Sequence, residues 1–343
     1  MFNTLKKTTL ALLVASVSLT QFSCKDDDPE ADKLGNWYRT GIPNFGGSAR
    51  SRAVSFVIGN KGYIGTGLTS ETVQRVKDFW SYDATTKIWS QVAPFEGSGR
   101  NDATAFVVGG KAYVGTGFDG VTTVDGGYKK DFYQYDPATN KWTKKADFAG
   151  GTRQYATSFV ADNRAYVGLG YNGSGFYQDF YEYNPTTDKW TEIATFTGGK
   201  RRGALSFTVG GKAYVGFGQT NAGTASEPKD LYSFDPAGNG GSGAWTRMES
   251  NTDDNFSGRS FATALVINEK AYVVGGLGKS DTWEYTPSSN TWTAVANFPS
   301  SRTYAAGFSI GNVGYYGTGS SGTNLDDFWA FDPTVAENDD DNL

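Results

Sequence analysis

The sequence predicts an all-β fold, a six-bladed propeller closed by an N-terminal strand that completes the last blade. Three observations predict it. Gly supplies 45 of 343 residues and aromatics 15%, a balance suited to many short strands joined by tight turns. The chain aligns on itself six times, at a spacing of roughly fifty residues. One repeat element missing from the last copy stands alone near the N-terminus.

Each copy opens on an arginine: Arg50, Arg100, Arg153, Arg201, Arg259 and Arg302. Three residues later comes Ala (Ala53, Ala103, Ala156, Ala204, Ala262, Ala305), and six later an apolar residue (Phe56, Phe106, Phe159, Phe207, Leu265, Phe308). A short turn such as Gly109-Gly110 suits a two-residue hairpin, which needs positive φ. A second strand is led by Tyr63, Tyr113, Tyr166, Tyr214, Tyr272 or Tyr315 and closes on a Gly pair. A loop of variable length leads to a third strand opened by Asp78, Asp131, Asp179, Asp230, Asp281 or Asp327. The fourth starts with Trp89, Trp142, Trp190, Trp245 or Trp292. The sixth copy has no such Trp, and Trp37 stands unclaimed before Arg50. Residues 35–45 are therefore expected to supply the outer strand of the last blade, and the propeller to span 35–333. This residue pattern resembles the kelch repeat family of β-propellers.

The ends read differently. Residues 1–23 have the form of a signal peptide, with Lys6 and Lys7 before an apolar run from Thr8 to Leu19 and the small Ser23 at its end. With Cys24 directly after, the segment resembles a bacterial lipoprotein signal, which implies acylation of Cys24 as the mature N-terminus. Residues 24–34 read as an acidic tether. Its Lys25-Asp26-Asp27-Asp28 resembles the signal that sends lipoproteins of some Gram-negative bacteria to the outer face of the outer membrane; the alternative is the periplasmic face. Residues 334–343 are expected to form a disordered acidic tail, since Glu337 to Asn342 contains no apolar residue.

Composition excludes several chemistries. The chain has no His, which removes imidazole acid–base catalysis, His-dependent triads and any metal site built on imidazole. The kelch fold includes copper radical oxidases of the galactose oxidase type, and those need two His. Net charge is −5, against the basic face that nucleic acid requires. Asp119-Gly120 and Asp125-Gly126-Gly127 match no full Ca²⁺ ligand set and read as turns. No metal, cofactor or catalytic residue is assigned, and the propeller is expected to be monomeric.

Positions identical in every copy serve what all blades share, so the six Arg and six Asp are expected to pair in a ring beneath the loops. Function is sought where copies differ. The loops between second and third strands vary in length and lie on one rim with the links between blades, which is where binding is expected. The residues just before each recurrent Ala should line the channel mouth: Arg52, Asp102, Tyr155, Gly203, Phe261 and Tyr304. Arg202, one step earlier in its copy, and the loop residues Glu71 and Tyr171 complete the candidate ligand-binding set. The resemblance to eukaryotic kelch domains that bind peptides implies a ligand-contacting Arg at the position of Arg52.

The function expected is capture of a glycan or protein ligand on the long-loop rim. A second expectation is a sugar mutarotase or epimerase: the chain is similar to the bacterial sialic acid mutarotases, which would make Asp102 or Glu71 the acid–base and Arg52 or Arg202 the clamp on a carboxylate. A third is a structural partner in an envelope complex. The anchor itself is directly testable. Cys24→Ala is expected to move the protein from the membrane pellet to the soluble fraction and to abolish incorporation of labelled fatty acid; an unchanged membrane fraction would refute lipidation at Cys24.

Overall fold

The computed structural model describes residues 33–69, 74–123, 125–220, 226–249 and 255–342, so Cys24 and Glu71 lie outside the described residues. Six four-stranded antiparallel sheets form the six blades. The first consists of Val54–Ile58, Lys61–Gly65, Phe79–Asp83 and Ile88–Val92, innermost to outermost, and the next four repeat that order. The innermost strand of every blade packs against the innermost strands of both neighbours, which closes the ring.

Burial follows strand position. The second strand of each blade is buried along almost its whole length, as in Arg164–Gly168 and Lys212–Gly216, because both of its faces meet a neighbouring blade. The outer strand Ile88–Val92 is largely exposed. The core is divided among blade interfaces: Val54, Phe56, Tyr63 and Phe79 of blade one pack with Ala112, Val114, Tyr135 and Trp142 of blade two. Inner and second strands join through two-residue turns. Val108 pairs with Lys111 across Gly109 and Gly110, whose φ of 59° and 71° are those of a type I′ hairpin.

The Arg–Asp ring is present at all six positions. Each Arg side chain is at most 3% exposed and donates to both carboxylate oxygens of its Asp at 2.5–3.1 Å. The same Nη1 also donates to the carbonyl sixteen residues on, that of Thr66, Thr116, Leu169, Phe217, Gly275 or Thr318. Each guanidinium lies 4.5–5.5 Å from the ring of a buried Phe, namely Phe45, Phe95, Phe148, Phe196, Phe256 or Phe298. Burial alone would raise Asp78, Asp281 and Asp327; the bonds from Arg50, Arg259 and Arg302 outweigh it and hold these carboxyls below the usual range. Loss of one Asp would strand a buried guanidinium, at a cost of about 3–5 kcal/mol.

The seam lies in blade six. Leu34–Tyr38 pairs antiparallel with Phe328–Ala336, the third strand of that blade, bringing Trp37 opposite Phe331. Trp37 takes the role of the recurrent Trp: its Nε1 donates to the carbonyl of Ala296 at 3.2 Å, as Trp142, Trp190 and Trp245 donate to Ala93, Ala146 and Ala194 of their preceding blades. It is 1% exposed and packs edge-on to Phe298 at 4.9 Å.

The expectation of a disordered tail over 334–343 is corrected for its described part. Strand pairing continues to Ala336, against Leu34. Beyond it, Asn338 N donates to Asn36 Oδ1 at 3.0 Å, and the Asp341 carbonyl accepts from the backbone N of Arg39 and Thr40 at 3.1 and 3.2 Å. The charge of the segment argued for disorder, but the free edge of the seam strand offers its backbone a set of partners. Deleting residues 35–45 removes the seam strand together with buried Ile42 and Phe45, and is expected to lower the melting temperature steeply and promote aggregation by the bared edge. Trp37→Ala alone is expected to cost about 3–5 kcal/mol in denaturant unfolding; melting unchanged by either would refute this closure.

Candidate functional site

Two residues after each scaffold Arg the chain turns from the rim into the innermost strand through a left-handed residue. Arg52, Asp102, Tyr155, Gly203, Phe261 and Tyr304 have φ of 55–60°. Five backbone bonds link these six residues in series around the mouth: Arg52 N donates to Tyr304 O, Asp102 N to Arg52 O, Tyr155 N to Asp102 O, Gly203 N to Tyr155 O and Phe261 N to Gly203 O, at 3.0–3.4 Å. For the five with a side chain this geometry costs about 1–2 kcal/mol each. Strain of that kind persists where the surroundings impose it and is concentrated at functional sites. Gly203, the one glycine among the six, also makes room for a neighbour. Phe261 lies across it, and a Cβ there would come within 2.2 Å of the ring.

The side chains of the other five line a hollow of 190 Å³ at the channel mouth. Below it the inner strands line a second space of 310 Å³, mostly with Ala, Ser and Thr. At the mouth Arg52 Nη1 lies 3.1 Å from Asp102 Oδ2 and also donates to the Tyr155 hydroxyl. Its guanidinium stacks 3.6 Å from the Tyr304 ring centroid. Phe261 packs between Tyr155 and Tyr304, at 5.0 and 4.7 Å. Arg52 keeps 23% of its side chain exposed, whereas Asp102 keeps 3%. Asn101 Nδ2 donates to the same carboxylate, and Asn101 Oδ1 accepts from Arg75 Nε at 2.6 Å. Burial pushes Asp102 up to about 6 despite the opposing pull of Arg52 and Asn101. Burial, with Asp102 adding to it, raises the Tyr155 phenol well above its ordinary value, so it is neutral at any physiological pH.

Of the residues expected from sequence, Arg52, Asp102, Tyr155, Phe261 and Tyr304 come together at the mouth. Arg202 and Tyr171 sit beside them on the rim: the Arg202 guanidinium lies 5.6 Å from the Tyr155 ring and 5.3 Å from that of Tyr171. At the mouth Asp102 is turned toward Arg52 and Asn101. Asp119, in the Asp-Gly turn, is occupied by Lys129 Nζ at 2.6 Å, Ser98 Oγ at 3.0 Å and the Val121 N–H at 2.9 Å. Sequence reasoning missed Phe118 and Gln219. Both directly follow the Gly pair, at the position of Leu68, Tyr171, Leu277 and Ser320, and this position bonds back to the residue preceding the left-handed one. Variation between copies at that position was the available signal.

The ionisation of Asp102 has a sign that can be measured. Its folded value of about 6 exceeds the unfolded value of about 3.9, so the folded state binds the proton more tightly. The associated stability is fully present below about pH 4 and is lost as pH rises through 6, about 3 kcal/mol in all. Asp102→Asn removes this slope. Relative to wild type, its melting temperature is therefore expected to rise between pH 4 and pH 7 by a few degrees; parallel profiles would show that Asp102 titrates normally.

Comparison with known proteins gives one fold and one family. No curated protein matches the chain. Among solved structures, one titled "Structure of YjhT" superposes with a TM-score of 0.70 at 18% sequence identity, covering 84% of this chain and 96% of that one, a likeness of fold. The model of the Attractin/LZTR1 β-propeller family matches residues 62–284, which reach from the second strand of blade one into the third strand of blade five. With its six four-stranded blades and terminal seam, the chain belongs to the Attractin/LZTR1 β-propeller family and is a kelch-type propeller.

Proposed function

We propose that this chain is a binding protein, anchored through Cys24 to the outer membrane and exposed at the cell surface, that captures a glycan or protein ligand on its long-loop rim at Arg52. One observation carries the reading. Arg52 is held at the mouth between two tyrosine rings, partly exposed, on a hydrogen-bonded series of left-handed residues that keeps it in place at a conformational cost. An aromatic-flanked guanidinium suits a ligand with an anionic or carbonyl group beside a flat apolar face.

A second reading, sugar mutarotation, is favoured by Asp102, whose value of about 6 suits proton transfer near neutral pH. Its oxygens are engaged by Arg52 and Asn101, so substrate entry would have to displace Arg52 first.

Ligand-observed proton NMR on residues 25–343 tests both readings in one sample, with sialic acids, neutral sugars and acidic peptides as probes. Saturation transfer is expected from a probe that binds, and Arg52→Gln is expected to weaken it about tenfold or more, the loss of one charge-assisted contact. Acceleration of anomeric exchange by wild type but not by Asp102→Asn would select the mutarotase. Transfer undiminished in Arg52→Gln would move the site away from the channel mouth.

A further inference from the structure

Arg75 and Arg202 stand apart from the seven arginines of the loop rim that hold a carboxylate. The six scaffold arginines each hold a carboxylate, and so does Arg52. Lys61, Lys111 and Lys270 do as well. Arg75 and Arg202 are half-buried, yet each is bonded to an amide instead: Arg75 Nε to Asn101 Oδ1 at 2.6 Å, and Arg202 Nε to Gln219 Oε1 at 3.1 Å. Among the described residues no carboxylate pairs with either. In a chain with 36 acidic and 31 basic residues, two half-buried cations that pair with no carboxylate among the described residues suit a counter-charge from outside. The hydrogen bond from Nε fixes the plane of each guanidinium, and among the described residues its Nη atoms, the pair that grips carboxylate or sulfate in bidentate fashion, donate to no side-chain acceptor.

Between them runs an unbroken row of aromatic rings. From Arg75 to Phe118, Tyr128, Tyr171 and Arg202 there are four steps of 4.7–6.0 Å. All three rings are half-buried, so each keeps some surface open to solvent on the loops of blades two and three. Phe176 joins the row at Tyr171 and stands 5.1 Å from Arg202. Past Phe176 lies a cleft of 390 Å³, whose lining adds Asn172, Gln178 and the cation Lys200. The row is longer than one sugar ring spans. Its chemistry sets flat apolar faces, which stack on the C–H faces of sugars, between cations and amides that take acidic and hydroxyl groups.

We infer that the rim of blades one to three binds an acidic polysaccharide chain, its ring faces on Tyr128, Tyr171 and Phe176 and its carboxylate or sulfate groups on Arg75 and Arg202. The inference deepens the ligand-capture reading, and rests on it only in taking this rim to be the binding face.

The test is calorimetric titration of the full-length protein in detergent micelles. The probes are tetragalacturonate, its methyl ester, a chondroitin sulfate tetrasaccharide, maltotetraose, monomeric galacturonate and hexaglutamate. The expected result is that one or both anionic tetrasaccharides bind at least tenfold more tightly than the ester, the neutral chain and the monomer. The uronate and sulfate arms identify which acidic group is read. Arg75→Gln and Arg202→Gln are each expected to weaken binding about tenfold, with added salt eroding the wild-type affinity, and Phe176→Ala to weaken the tetrasaccharide but not the monomer. Arg75→Lys and Phe176→Leu, with unchanged melting temperatures, control for misfolding. Monomer binding that depends on Arg52 without any gain from chain length would overturn this inference and leave the channel-mouth reading intact. Tetrasaccharide binding insensitive to Arg52→Gln would do the reverse. Equal affinity for hexaglutamate would replace the glycan by an acidic peptide, and no binding to any probe would overturn both.

Discussion

The buried Arg–Asp pair, repeated six times, is the constraint on which the rest depends. Each pair ties the link entering a blade to the start of that blade's third strand, and its extra bond to a carbonyl sixteen residues on ties in the end of the second strand. Three segments of chain thus meet at one guanidinium, roofed by a Phe ring. The left-handed residue two positions further on is therefore placed by charge and hydrogen bonding before its own side chain has any part in the matter. This separates the two tasks of the repeat: the Arg can be the same in every blade while the residue at the channel mouth changes freely.

That separation explains what could be read from the chain alone. The Arg, Ala, Asp and Trp positions were visible because ring closure imposes the same packing on each blade, and Trp37 was assigned across nearly the whole chain because only blade six lacked its Trp. The Phe ring over each Arg was not legible in the repeat. It stands five residues before the Arg in four blades, but shifts for Phe256 and Phe298, so the spacing drifts although the contact does not. The tail was misjudged because charge density describes a segment's side chains, whereas Asn338 and Asp341 are held mainly through backbone groups.

The channel-mouth residues were found by asking where copies differ, and five of them do converge. What spacing could not reveal is contact between loops of different blades. Arg75 of blade one reaches Asn101 and Phe118 of blade two, and Tyr128 of blade two meets Tyr171 of blade three. These contacts depend on how far each loop leans over its neighbour, a property of loop conformation rather than of repeat register. The burial of Asp102 was hidden for the same reason: Arg52, Asn101 and Tyr155, which enclose it, come from three successive copies.

The seam strand also sets an orientation. Leu34, its first residue, is paired with Ala336 at the end of blade six nearest the tight turns, while Tyr38 lies toward the loop rim beside Ala330. The chain therefore enters the propeller from the face opposite Arg52. Under the proposed acylation of Cys24, the ten residues from there to Leu34 could reach at most about 35 Å. A propeller leashed from its underside on so short a lead would ride close above the lipid with the arginine-bearing face directed away from the bilayer, presented to whatever approaches from outside.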